Sequence, residues 1–216
     1  MAGDLDGVRV AILTANEGVE RIELTDPRQA LLDAGATVTH IAPKAGDVQT
    51  MDHLDKAEVV QAERSTTDVG VHDFDALLLP GGVANPDQLR RDHPAVELVK
   101  AFFQDGKPVA AICHAPWTLV EAGVVRGRVL TSWPSLQTDI RNAGARDWVD
   151  KQVVVCDHGA SLLVTSRKPD DLPAFDEAMV EAFHRGRRTP TDVAASPSAG
   201  VLDPIVLFPP EPSEPG

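Results

Sequence analysis

The chain has 216 residues, 43% of them hydrophobic and 25% charged, a balance typical of a globular protein with a substantial core. Its net charge of −13 argues against non-specific binding to nucleic acid or to anionic membranes. Two cysteines exclude a disulfide framework, and no apolar run approaches the ~20 residues that span a bilayer. Because the N-terminus lacks a signal-peptide pattern, we expect a cytoplasmic protein with free thiols.

Strand and helix patterns alternate along the chain. Apolar runs predict strands at 8–13, 37–41, 76–79, 109–112, 128–131, 153–155 and 162–165, the last two as a possible hairpin. Helical spacing and stop signals predict helices at 22–34, 94–104, 116–123, 135–143 and 172–183. Strands separated by helices predict an α/β fold with a mostly parallel sheet covered on both faces.

The end of the chain has a different composition. Residues 189–216 contain seven of the 17 prolines, four acidic residues and no Lys or Arg. This composition predicts a folded domain at 1–188 followed by a disordered acidic tail, with an apolar stretch at 201–208 that leaves docking on a surface open.

Cys113 ends a predicted strand and begins the turn into the next predicted helix. Small residues two positions away on either side, Ala111 and Ala115, together with Pro116 at the helix start, are typical of a nucleophile elbow. A thiol in that turn faces the N–H groups of a helix N-terminus, which favour its thiolate. The alternative is a small, inert core cysteine.

Carboxyl ends of parallel strands share one edge of a sheet, so the turns after the first, third and fourth predicted strands should meet. The first turn, at 14–20, places Glu20 between apolar neighbours and predicts that it is partly buried. The second contains Gly81 and Gly82, which allow backbone to approach a ligand closely. The N–H groups of Gly82 and His114 form a candidate oxyanion hole.

Four segments occur in a recognisable order: TANEGVERIEL at 14–24, DALLLPGG at 75–82, GKPVAAICHAP at 106–116 and TSRKPDDLP at 165–173. Together they resemble the ThiJ/PfpI (DJ-one) superfamily, and within it the PfpI-like branch. The resemblance extends from about Val8 to Phe183. It implies a flavodoxin-like three-layer sandwich with a nucleophile elbow, as in class I glutamine amidotransferases.

The resemblance implies roles for four side chains. Cys113 corresponds to the nucleophile, His114 to the general base, and Glu20 to a buried, protonated acid that hydrogen-bonds the cysteine sulfur. Asp87 occupies the position of an acid, usually Glu, that orients the histidine from a second subunit. We therefore expect a homodimer or larger homo-oligomer whose site is shared across the interface.

Three functions are compatible with these residues. The resemblance favours a cysteine-dependent hydrolase: a deglycase or glyoxalase for glyoxal and methylglyoxal adducts, or an intracellular peptidase. The alternative is a stress protein without turnover, a redox sensor or chaperone that uses oxidation of Cys113. A glutamine amidotransferase needs a late His-x-Glu pair, which His114, His158 and His184 do not provide. We expect no metal and no cofactor.

Overall fold

The structure, a computed structural model, describes residues 4–186, so the predicted tail at 189–216 lies outside the described residues. Strands are labelled β1 (Arg9–Leu13), β2 (Glu17–Glu20), β3 (Thr37–Ala42), β4 (Gly46–Asp52), β5 (Asp55–Ala62), β6 (Arg64–Ser65), β7 (Ala76–Leu79), β8 (Val109–Ile112), β9 (Val129–Leu130), β10 (Asp147–Trp148), β11 (Val153–Cys156) and β12 (Leu163–Ser166). Helices are labelled α1 (Arg21–Asp33), α2 (Ala84–Leu89), α3 (His93–Gln104), α4 (Pro116–Glu121), α5 (Gln137–Asn142) and α6 (Leu172–Arg185).

The central sheet has seven strands in the order β11-β12-β8-β7-β1-β3-β6. Every neighbouring pair is parallel except β11 with β12, which form an antiparallel hairpin. The sheet is therefore mostly parallel, as predicted, and the late hairpin is confirmed. The carboxyl ends of β1, β7 and β8 lie side by side, which brings their turns together.

Alternating strand residues build one hydrophobic core on each face of the sheet. In β1, Val10 and Ile12 point to the core shared with α1 and α6. Ala11 and Leu13 point to the opposite core, shared with α3, α4 and α5. The predicted helical stripe of α6 is confirmed, because its three large apolar residues are fully buried: Phe175, Met179 and Phe183.

The buried face of α3 differs from the predicted one. The predicted stripe was Val96, Val99 and Phe103. Val99 is buried as predicted, but Val96 and Phe103 are only partly buried, and Leu98 and Phe102 face the core instead. Asp92 caps the N-terminus of α3, because its carboxylate accepts a hydrogen bond from the Ala95 N–H at 3.0 Å.

Two features of the smaller sheets depart from the sequence analysis. The strand predicted at 128–131 is only β9, which pairs with β10 outside the central sheet. The three-stranded sheet β2-β4-β5 was not predicted, because β4 and β5 are rich in polar residues and largely exposed on one face. Within residues 4–186, no helix has the length and apolar character needed to cross a membrane.

Candidate active site

Cys113 lies in the sharp turn between β8 and α4. Its φ of 62° is in the left-handed region, which is uncommon for a residue with a side chain. The turn is held by hydrogen bonds from the Cys113 N–H to the Ser166 carbonyl (3.1 Å) and from the Ala115 N–H to the Ile112 carbonyl (3.0 Å). This backbone geometry is that of the predicted nucleophile elbow, with the Cys113 side chain at the edge of the sheet.

His114 is positioned by the thiol and by two indole rings. Its Nδ1 lies 3.2 Å from the Cys113 Sγ. The Trp133 ring stacks on the imidazole and the Trp117 ring is tilted against it, each with ring centroids 5.5 Å away. Burial lowers the pKa of His114 to about 4, so the ring is neutral near pH 7 and able to accept a proton.

Glu23, on the first turn of α1, is the acid that contacts the nucleophile. Its carboxyl group is fully buried and lies in the same cavity as the Cys113 side chain, while Oε2 accepts a hydrogen bond from the Gly81 N–H at 3.1 Å. Burial raises the pKa of Glu23 to about 8, with a smaller contribution from the charge of Glu20. The carboxyl is therefore protonated near pH 7 and able to donate to the sulfur.

Glu20 was predicted to lie against the cysteine sulfur, whereas the structure places Glu23 there, three residues further along the chain. Glu20 is the residue before the first turn of α1, and its Oε2 accepts instead from the His53 N–H at 3.1 Å. Glu20 was predicted to be partly buried, and in the structure it is more deeply buried than that, with 6% of the residue exposed. The Glu-x-x-Glu spacing of Glu20 and Glu23 was a signal that two acids enter the site together.

The turn after β7 packs directly against the nucleophile and Glu23. A Cβ on Gly81 would lie 2.5 Å from the Glu23 Oε2 and 2.6 Å from the Cys113 Cβ, so a side chain does not fit. The N–H groups of Gly82 and His114 face the Cys113 sulfur and lower the pKa of its thiol. The two candidate oxyanion donors thus lie side by side at the sulfur, and their action on a reaction intermediate stays a prediction.

The protonation of Cys113 depends on opposing effects. The pKa of the Cys113 thiol lies above its usual range, because burial raises it and Glu23 raises it further, while the N–H groups of Gly82 and His114 offset only part of this shift. The contribution of the Glu23 charge is absent when that carboxyl is protonated. A thiolate at Cys113 is therefore stabilised when the proton of the pair resides on Glu23.

A cavity of about 280 Å³ opens onto Cys113, and its polar lining comprises Glu20, Glu23, His53, Cys113 and His114. Its rim is apolar and includes Leu54, Val83 and Trp133. His53 and Leu54 come from the turn between β4 and β5, which the sequence analysis missed. Asp87 is exposed on α2 and is not one of the residues that line this cavity. Cys156 is buried on β11, in the core on the opposite face of the sheet from Cys113.

Comparisons with known proteins agree with this fold. A model of the DJ-1/PfpI family matches residues 8–182. General stress protein 18 of Bacillus subtilis (strain 168) is 46% identical over 157 residues, which cover 73% of this chain and 87% of that protein. Protein/nucleic acid deglycase 2 of Escherichia coli (strain K12) is 42% identical over 168 residues, 78% of this chain and 93% of that protein.

A solved structure gives the same result for the fold. The two-domain protein from Anabaena variabilis, with DJ-1/ThiJ/PfpI-like and ferritin-like domains, matches with a TM-score of 0.72 at 34% identity. The match covers 80% of this chain and 49% of that protein, so the chain spans about half of its length. These matches confirm the flavodoxin-like α/β fold and the resemblance that the four sequence segments indicated. The chain belongs to the DJ-1/PfpI family.

Proposed function

We propose that the protein is a stress-related, cysteine-dependent deglycase or glyoxalase that acts on adducts of glyoxal or methylglyoxal. The observation that carries this proposal is the joint position of Cys113, His114 and Glu23 at one end of a cavity of about 280 Å³. A cavity of this size accommodates a three-carbon dicarbonyl attached to one side chain. It does not accommodate several residues of an extended peptide on either side of a scissile bond.

The residues support a sequence of proton transfers. The Cys113 sulfur attacks the aldehyde carbon, or displaces the amine from an adduct, and the new C–S bond gives a hemithioacetal. Neutral His114 accepts the C–H proton and returns it to the neighbouring carbon, which converts the hemithioacetal into a thioester without any external oxidant. Water then cleaves the thioester to a 2-hydroxy acid and restores the thiol. The N–H groups of Gly82 and His114 are placed to stabilise the oxyanions formed on this route.

The names of the relatives support both parts of the proposal. One relative is named a stress protein and the other a deglycase, and both align over most of their length. We propose further that Asp87 of a neighbouring subunit orients His114, so that the active unit is a homo-oligomer. Its exposure on α2, outside the cavity of its own chain, supports a role toward a second subunit.

The test uses purified full-length protein, its Cys113→Ala variant and an isolated methylglyoxal adduct of a blocked lysine. We expect lactate with an excess of one enantiomer from the wild type, and only the slow background from Cys113→Ala. Enantiomeric excess separates catalysis from simple depletion of free methylglyoxal, which gives a racemic product. Casein hydrolysis without lactate formation would favour the peptidase, and peroxide consumption without either would favour the redox sensor.

A further inference from the structure

Glu20 carries a buried carboxylate oxygen that has no hydrogen-bond partner. Its Oε2 accepts from the His53 N–H, but its Oε1 receives no donor although the side chain is only 9% exposed. A buried carboxylate oxygen without a partner is unfavourable by itself, because it has lost its hydration. A cation at Oε1 would restore the missing interaction.

Two further ligand atoms surround that oxygen. The His53 Nδ1 lies 3.6 Å from Oε1, and a carboxylate oxygen of Asp52 completes a set whose three atoms all lie within 4.8 Å of one another. Two ligands that each lie about 2.0–2.1 Å from a tetrahedral ion are roughly 3.3 Å apart. The Glu20–His53 spacing is close to that value, and rotation of the exposed Asp52 side chain brings in the third ligand.

We propose that Glu20, Asp52 and His53 form a binding site for a divalent transition-metal ion of the zinc class beside the Cys113 cavity. One imidazole nitrogen and two carboxylate oxygens suit zinc, cobalt or nickel better than magnesium, which prefers an all-oxygen octahedron. Three protein ligands leave a coordination position open to water or to an incoming group.

The surrounding charges also favour a cation. Asp52 forms an ion pair with Arg21 at 3.3 Å, and Arg21 lies 3.6 Å from Glu58. Arg21 therefore supplies one positive charge against the three carboxylates of Glu20, Asp52 and Glu58. The exposed His53 side chain is free to rotate toward the ion, because 83% of its surface is accessible.

The site differs from the pair formed by Cys113 and Glu23, although both face one cavity. Glu20 and His53 line this cavity together with Cys113, so an ion bound to them narrows the space through which a reagent reaches the thiol. The structure thus assigns two separate properties to the site: it binds zinc without any sulfur ligand, and its occupancy slows reagents that approach Cys113.

The experiment measures Zn²⁺ binding by calorimetry on the full-length protein and on the variants His53→Ala, Glu20→Gln and Cys113→Ser. We expect one ion per chain in the wild type and in Cys113→Ser. Loss of a direct ligand in His53→Ala or Glu20→Gln should weaken binding about tenfold or more, at least as much as loss of an outer-shell partner. Mg²⁺ should not bind, and Co²⁺ should give no sulfur-to-cobalt charge-transfer absorption.

The matched control is His72→Ala. The His72 Nδ1 lies 3.7 Å from an Asp105 carboxylate oxygen and its side chain is 88% exposed, so it forms a similar surface pair without a buried carboxylate. We expect this variant to bind Zn²⁺ as the wild type does. Equal affinities in wild type, His53→Ala and Glu20→Gln, or binding lost only in Cys113→Ser, would overturn the site.

A second readout does not depend on catalysis. Zn²⁺ should slow alkylation of Cys113 in the wild type and in His72→Ala, but not in His53→Ala, at the same ion concentration. Zn²⁺ should also raise the thermal unfolding midpoint of the wild type and of His72→Ala, but not that of His53→Ala. Equal slowing of alkylation in His53→Ala would place the ion on the thiol and refute the proposal.

Discussion

Glu23 and Cys113 form a buried pair in which a single carboxyl group governs the charge of the thiol. A protonated Glu23 is able to donate a hydrogen bond to the sulfur of a Cys113 thiolate, and a hydrogen bond to a charged group is worth about 1.5–3 kcal/mol. Glu23→Gln keeps an N–H donor without a charge, whereas Glu23→Leu removes the donor. We expect the Cys113 pKa to rise by roughly one unit or more in the Leu variant relative to the Gln variant. Alkylation rates across pH provide the measurement.

Two internal controls sharpen this test. Cys156 lies buried on β11 in the opposite core, and its alkylation should not change between the variants. Glu20→Leu should leave the Cys113 titration closer to the wild type than Glu23→Leu does, since Glu20 does not donate to the sulfur. A larger effect from Glu20→Leu would show that Glu20, and not Glu23, is the acid that acts on the Cys113 sulfur.

The turn after β7 packs so closely against the site that position 81 has no room for a side chain. Gly81→Ala would force its Cβ against Glu23 and Cys113, so we expect a loss of about 1–3 kcal/mol in the free energy of unfolding. We also expect a lower rate of Cys113 alkylation, because Glu23 must move. Gly70→Ala is the control, since nothing lies within 4 Å of its Cβ. Equal stability of both variants in urea would contradict this packing.

Some strands could be predicted from the sequence and others could not. Continuous apolar runs predicted β1, β7 and β8 because a strand buried on both faces has few polar positions. The hairpin of β4 and β5 has exposed Asp, Glu, Gln and Lys along one face, and that pattern resembles a loop. The same difference applies to the site. Cys113 and His114 follow the predicted strand β8 and were identified, whereas His53 follows the unpredicted strand β4 and was missed, as was the role of Glu23. Which of two nearby acids faces the sulfur depends on where α1 begins, within one turn.

At the scale of the whole molecule, stability depends on pH through four groups in the described part of the chain, of which Glu23, His40 and His114 are buried and Asp176 is half-buried. Burial raises the pKa of Glu23 to about 8 and that of Asp176 to about 7, and it lowers the pKa of His40 and His114 to about 4. Between pH 4.5 and 6.5 the two acids lower the free energy of unfolding as pH rises, because the unfolded chain releases their protons and the folded chain keeps them. The two histidines raise it over the same interval, because they are neutral in the folded chain and still protonated in the unfolded one. The two effects therefore oppose each other.

Above pH 6.5 the two histidines are mostly neutral in both states, so the two acids dominate the balance up to pH 8. The folded state retains protons that the unfolded chain has released, so stability falls as pH rises toward 8. We expect a loss of about 2 kcal/mol between pH 6.5 and 8 in urea unfolding. Asp176→Asn should remove a minor part of this dependence and Glu23→Gln the larger part. A free energy of unfolding that is level or rises over this interval would contradict the assignment.

The proposed assembly makes a separate prediction for mixed oligomers. Cys113→Ala subunits keep Asp87, and Asp87→Ala subunits keep Cys113, so a site shared between subunits is complete in some mixed interfaces. Dissociating, mixing and reassociating these two inactive variants should restore part of the lactate-forming activity. No recovery despite demonstrated subunit exchange, or a fully active monomer, would place the whole site within one chain.

The turn that joins β4 to β5 has an evolutionary consequence. It consists of His53 and Leu54 between the paired residues Asp52 and Asp55, and His53 has a φ of 59°, where glycine is the usual choice. His53 thus occupies a left-handed conformation that glycine adopts more easily, in a turn that lies outside the central sheet. Exchange of these two residues can therefore redirect what the cavity admits while the nucleophile and its core remain intact, which gives the scaffold a short route to new specificities.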